Sequence, residues 1–248
     1  MASGLLAPVE RKARVYAKRW AILRLLRNEI YTTREAVQVL LGVAATPAKM
    51  TLAAMARDGL LRMEQVECPN GWRPYLWGIT PEGQAMAFDP ATEQPVERVF
   101  EPGRVGLTVV RHSITIQLCR IKAERAGWTN WQSGDRLAKW EKDQGRPDAI
   151  ATSPTGERMA VEVELTLKTT KRYEAVLWDR LRQIKAGNFD RVCWLTDDED
   201  RALRLEAIIK SIDEFTREHA GVKQKIRIDP EIHHSRLLFK SLTDWPNF

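Results

Sequence analysis

The sequence predicts a mixed α/β (α+β) chain of two domains: three helices and a β-hairpin, then elements in the order α-β-β-β-α-β. Three observations predict it. Apolar residues recur at helical spacing over 16–58 and then alternate with period two over 60–79, as helices giving way to strands require. Residues 89–103 are rich in proline, glycine and glutamate and break both periods. Helical and strand patterns then resume and reach a buried-strand run at Arg191-Val192-Cys193-Trp194-Leu195. The expected domains are 1–95 and 96–248.

In the first helix, 16–28, Ala17, Trp20, Ala21, Leu23 and Leu26 share one face. Thr32-Thr33-Arg34-Glu35 reads as a capping box that starts a second helix, which runs through Leu41 and ends at Gly42. Thr46 is the expected cap of a third helix with Pro47 in its first turn. That helix carries Met50, Leu52, Ala53 and Met55 and stops at Asp58-Gly59. Strands over 60–66 and 75–79 flank a loop with Asn70-Gly71, a strong turn signal. Three helices followed by a hairpin is the winged helix-turn-helix plan.

In such a module the third helix enters the major groove while the hairpin touches backbone or minor groove. Lys49, Arg57 and Arg73 are the candidate contacts, and Arg34 at the start of the second helix is placed to hold a phosphate. The charge distribution agrees. Residues 1–80 hold 12 Lys/Arg against 6 Asp/Glu, whereas the remaining 27 and 27 cancel. A localised basic excess is the footprint of nucleic-acid binding. The cluster Arg11, Lys12, Arg14, Lys18 and Arg19 also has a plainer reading as a solvated helix face, and winged helices also bind proteins.

After a short helix over 81–88, the 89–103 stretch reads as an exposed linker. A helix over 106–126 follows, then strands at 128–131 and 147–151. Ser153-Pro154-Thr155-Gly156 turns the chain into a third strand over 159–167. The helix over 171–186 buries Ala175, Leu177, Trp178, Leu181 and Ile184. A helix over 200–217, a strand over 225–228 and a tail containing His233-His234 complete the chain; the histidine pair lacks a third ligand at fixed spacing.

The chemistry concentrates at Arg146-Pro147-Asp148 and at Val161-Glu162-Val163-Glu164-Leu165-Thr166-Leu167-Lys168. Met159, Val161, Val163, Leu165 and Leu167 form one strand face, which leaves Glu162, Glu164, Thr166 and Lys168 on the other. The hairpin brings Asp148 beside the glutamates. Hard divalent cations take oxygen ligands, so Asp148, Glu162 and Glu164 are the expected ligands of Mg²⁺ or Mn²⁺, with Lys168 at a phosphate. Charges alternating with Val and Leu also describe the wet face of an ordinary antiparallel strand.

With its α-β-β-β-α-β setting, this pattern resembles the PD-(D/E)xK nuclease superfamily. It departs at Glu164, where that motif has lysine, and Lys168 lies further on. The winged helix joined to Arg-Pro-Asp, Val-Glu-Val-Glu-Leu-Thr and Arg172-Tyr173 is similar to the plasmid replication-relaxation proteins, which include MobC-class conjugative relaxases. That resemblance spans about 20–195. It implies a metal-dependent endonuclease that recognises double-stranded DNA at an origin of transfer, nicks one strand and works with other relaxosome proteins. It also implies a catalytic role for His112, on the helix before the core, and a DNA contact for Arg172. Tyr173 is a candidate nucleophile through its phenolate, with water attack the simpler route. The alternative is a DNA-binding regulator that uses a degenerate nuclease fold as scaffold.

No run of eighteen apolar residues predicts a membrane span in these 248 residues, and the first residues lack the pattern of a signal peptide. Cys68, Cys119 and Cys193 have no ligand-like spacing, which points to a reducing cytoplasm.

Overall fold

The computed structural model describes residues 7–137, 145–219 and 222–247. Two compact units divide the chain, Met1–Ile121 and Lys122–Phe248, in a mixed α/β architecture.

The N-terminal unit runs α1 (Pro8–Glu29), β1 (Tyr31–Thr32), α2 (Arg34–Leu41), α3 (Ala45–Arg57), β2 (Leu61–Gln65), β3 (Tyr75–Ile79), α4 (Pro81–Ala85) and most of α5 (Val110–Arg125). Its antiparallel sheet has the order β1-β3-β2. Ile22, Leu26, Val37, Ala48, Leu52 and Met55 from the first three helices pack on Leu61, Trp77 and Ile79 of the sheet. Leu23, Leu26, Leu52 and Met55 of the expected stripes face this core, whereas Ala17 and Met50 are exposed, and Ile22 and Ala48, which the expected stripes left out, are fully buried.

Helix caps differ from the expected ones in two places. Thr32 is drawn into β1, paired with Trp77, so Thr33 becomes the N-cap of α2 and accepts the Ala36 N–H at 3.4 Å. Glu35 then stands one position too early to close a capping box and pairs with Arg34 at 2.7 Å. Thr46 lies inside α3, whose N-cap is Ala44. Gly42 does end α2, in the left-handed conformation (φ 60°) that glycine tolerates.

The 89–103 stretch is not a free linker. Glu93 takes the Arg24 guanidinium at 2.6 Å, and Arg24 holds the Glu93 carboxyl down to about 2. The Gln84 amide donates to the Arg98 carbonyl at 2.5 Å, and the Phe100 N–H donates to the Ile79 carbonyl at 2.9 Å. Phe100 then joins Val66, Leu76, Val110 and Ile114 in a second core on the other face of the sheet. These ties carry the N-terminal unit on to Ile121, well past the boundary expected near Pro95.

The C-terminal unit contains β4 (Thr129–Ser133), β5 (Ala149–Thr152), β6 (Arg158–Val163), α6 (Thr170–Lys185), β7 (Arg191–Thr196), α7 (Glu199–Lys210), β8 (Glu214–His219), β9 (Val222–Arg227), α8 (Pro230–His233) and β10 (Leu237–Ser241). Five strands form one sheet in the order β10-β7-β6-β5-β4, and β8 and β9 form a separate hairpin. The pairs β4–β5 and β5–β6 are antiparallel, while β6–β7 and β7–β10 are parallel. Each parallel step requires a crossover, and α6 and α7 supply the two. Their inner faces meet Ile150, Ala160, Val192 and Trp194 in the main core, with Tyr173, Leu177, Leu205 and Ile209. The helix expected over 200–217 stops at Lys210, and β8 takes up the rest; β10 lies in the stretch expected to be a tail.

Close packing at Gly78 gives a test of the N-terminal unit. A Cβ there would lie 1.9 Å from the Phe100 ring. Gly78→Ala is expected to lower the unfolding free energy by about 1–3 kcal/mol, the usual cost of overpacking. An unchanged denaturant midpoint would mean that Phe100 does not pack on the sheet in solution.

Candidate active site

The site grows from the β5–β6 ladder. Ala149 pairs with Val161, so Asp148 stands opposite Glu162, one step beyond the last registered pair. Side chains opposite one another in a ladder share a face. That face also holds Ile150 and Ala160, and both lie in the core under α6. The Asp148 carboxylate accepts the Val163 N–H at 2.7 Å, which fixes it against the end of β6. Its backbone carbonyl accepts the Gly134 N–H at 2.8 Å. A Cβ on Gly134 would lie 2.0 Å from the Pro147 carbonyl oxygen, so glycine is needed for this approach.

The glutamates are not on a wet face. Both crossover helices, α6 and α7, pack on the sheet face that carries Glu162, together with Ala160, Val192 and Trp194. Arg180, on the inner stripe of α6 with Tyr173 and Leu177, is 3 % exposed and forms an ion pair with Glu162. Its guanidinium also donates to the Gly145 carbonyl at 2.6 Å, which accepts the Gln183 amide at 3.0 Å. Burial pushes the Glu162 carboxyl up to about 7; Arg180 opposes the rise and Asp148 adds to it. Sequence reasoning did not single out Arg180. Its signal was its place on the stripe of Tyr173, Leu177 and Ile184, at intervals of three and four residues.

Glu164 and Lys168 take a different course from the expected strand face. β6 ends at Val163, and the chain leaves the sheet before 167. Glu164 is 6 % exposed and pairs with Lys168, whose ammonium also lies 5.8 Å from the Tyr173 ring centroid. The expected three-carboxylate cluster is therefore not assembled. Among the described residues no group of three or more His, Cys, Asp and Glu side chains is placed to hold a metal ion. Two carboxylates remain side by side, Asp148 and Glu162. As hard oxygen donors they fit Mg²⁺ or Mn²⁺, which commonly bind through one or two carboxylates plus water and phosphate.

Tyr173 is not placed as a nucleophile. It is 1 % exposed, its hydroxyl accepts the Lys168 N–H at 3.0 Å, and burial pushes its phenol up to about 12. A phenol so buried and so weakly acidic supplies no phenolate near neutrality. Arg172 is exposed on the first turn of α6. His112 lies on α5 and belongs to the N-terminal unit rather than to the unit that holds the carboxylates. His233 and His234 fall in α8 and the turn after it. The three cysteines are buried and unpaired with one another.

In the N-terminal unit, Arg34, Lys49 and Arg73 line one groove, while Arg57 is exposed on the last turn of α3. Arg34 pairs with Glu35, and Arg73 pairs with Glu67 at 2.6 Å, all four side chains being largely exposed. Exposed pairs of this kind exchange readily for a phosphate. No single helix among the described residues is long and apolar enough to cross a membrane. No family model, curated protein or solved structure matches the chain.

The raised Glu162 carboxyl has a consequence for stability. It binds its proton more tightly in the folded than in the unfolded chain. Its stabilising contribution is therefore full below about 4.5 and is lost as the pH rises through about 7. Glu162→Gln, which keeps the shape of the protonated acid, is expected to match wild type in acid. Above about pH 8 it should be more stable by on the order of 1–3 kcal/mol, given about 1.4 kcal/mol per pKa unit. A Glu162→Gln protein less stable than wild type in alkali would show that the pair with Arg180 outweighs the burial of the charge.

Proposed function

We propose that this chain is a DNA nickase of the relaxase kind. In this reading the N-terminal unit is a winged helix that holds duplex DNA at a specific origin. The C-terminal unit is a PD-(D/E)xK-like domain that cleaves one strand. The reading rests on one observation above the others: Asp148 stands across the β5–β6 ladder from a buried Glu162, in a unit whose elements begin β-β-β-α-β. Two adjacent carboxylates, one of them with its charged form disfavoured by burial and by its neighbour, are what a divalent cation relieves. The sequence motifs that resemble plasmid replication-relaxation proteins, Arg146-Pro147-Asp148 and Val161 to Lys168, point to the same substrate.

Asp148 and Glu162 would hold Mg²⁺ or Mn²⁺. Such an ion, when bound, polarises a phosphate and lowers the pKa of water. Around it, the chain supplies position and charge. The Val163 N–H keeps Asp148 in place. Arg180, tied to Gly145, orients Glu162 and lends positive charge at the buried end of the site. Lys168, a third exposed, is close enough to the surface to leave Glu164 and neutralise an incoming phosphodiester. Glu164 then becomes available to accept a proton.

One observation favours a second reading. The Arg180–Glu162 pair already neutralises the carboxylate, as a domain kept only for scaffolding in a DNA-binding regulator would require. The two readings separate on supercoiled plasmid carrying the cognate origin. The nickase reading expects open-circular product only with Mg²⁺ or Mn²⁺, and a rate reduced at least a hundredfold in Glu162→Ala with DNA affinity unchanged. Losing a group that acts in the transition state lowers turnover and spares ground-state binding. Equal nicking by Glu162→Ala and wild type would remove Glu162 from the chemistry and favour the scaffold.

A further inference from the structure

The groove in the N-terminal unit has a composition that duplex recognition does not use in full. It is open, about 840 Å³ in volume, and lined by the start of α2, by α3, by the β2–β3 hairpin and by α5. Arg34, Lys49, Arg73 and Arg111 line it, with Arg34 in an exposed pair with Glu35 and Arg73 in an exposed pair with Glu67. Between them lie Met63, Trp72 and Tyr75. Trp72, in the loop between the strands, is half-buried against the Phe100 core, and the register explains why Met63 and Tyr75 are open. Met63 pairs with Trp77 and Gln65 with Tyr75, so they share the sheet face whose other end, Leu61 and Ile79, packs on the helices. Toward the hairpin tip that face extends beyond the helical layer, leaving Tyr75 52 % and Met63 47 % exposed.

Aromatic and apolar surface left open beside a set of cations marks a binding surface, and the cations select a polyanion. A duplex presents phosphates and base edges and hides its base faces. An unpaired strand presents base faces, for which aromatic rings are the ordinary platform. We propose that this groove binds a segment of single-stranded DNA, with bases stacked on Tyr75 and Trp72 and phosphates on Lys49, Arg73 and Arg111. The inference rests on the DNA reading above and adds a substrate class to it: DNA with an unpaired stretch next to the duplex held by α3.

Fluorescence anisotropy of the full chain with labelled oligo(dT), an abasic strand of equal length and a mixed-sequence duplex tests this. Tyr75→Ala should weaken oligo(dT) binding about tenfold, the usual scale for losing one stacking platform. Tyr75→Phe should bind like wild type, and the abasic strand should bind wild type as weakly as oligo(dT) binds Tyr75→Ala. Duplex affinity should be the same in all three proteins, which also confirms that they fold. Lys49→Ala should weaken both strand and duplex. Three results would overturn the inference: oligo(dT) held equally by Tyr75→Ala and wild type, an abasic strand held as well as oligo(dT), or a Tyr75→Ala loss that extends equally to the duplex. Wild type that binds neither strand nor duplex would instead overturn the DNA reading itself.

Discussion

A carboxylate buried on a central strand is the constraint around which the C-terminal unit is organised. Glu162 lies under α6 because a parallel step from β6 to β7 demands a crossover helix. Taken out of water, its charge needs compensation. Arg180 provides it, and Arg180 is in turn fixed by Gly145, just before Pro147 and Asp148. One ion pair therefore links β6, α6 and the entry to β5. Asp148 completes the arrangement by capping the Val163 N–H, which puts a second carboxylate next to the first. The arrangement is neutralised but not rigidly closed, since Glu162 remains partly exposed and its charge stays disfavoured.

How much of this was legible in the sequence depends on the range of the interaction. Local patterns read in part: the helices, the Gly42 stop and the hairpin strands have their signals in the residues themselves, but the stripes were mis-phased, since Met50 and Ala175 are exposed while Ile22, Ala48, Tyr173 and Arg180 are buried. Period two also placed Val161 and Val163 on a buried face. Alternation states that two faces differ, however, and not that the second is wet. Whether Glu162 is covered depends on α6, and α6 arrives there only through the crossover. β10 escaped for the same reason. Leu237–Ser241 is short, and its partner β7 lies beyond α7 and the β8–β9 hairpin.

Smaller misreadings had similar causes. Thr32 and Thr33 are equivalent as cap residues by chemistry, and the pairing of Thr32 with Trp77 decided between them. Tyr173 follows the lysine at a spacing suggestive of chemistry, yet its ring belongs to the helix stripe that fills the core. The prolines and glutamates of 89–103 suggested a free linker. Glu93 and Phe100 each found partners far back in the chain, Arg24 and the sheet at Gly78, and so made it part of the N-terminal unit. In each case a contact distant in sequence overrode a local signal that was read correctly as far as it went.

The central claim is that Asp148 and Glu162 together form a divalent-cation site, in which a metal takes over from Arg180 part of the compensation of Glu162. Titration of Mn²⁺ into the DNA-free chain, followed by electron paramagnetic resonance, tests it most directly, because free Mn²⁺ gives a sharp signal that is lost on binding. The account predicts one ion held per chain, more tightly above about pH 7 where Glu162 is ionised, and no such ion in Asp148→Asn. A free-ion signal throughout the titration of wild type, or binding that Asp148→Asn leaves intact, would contradict it.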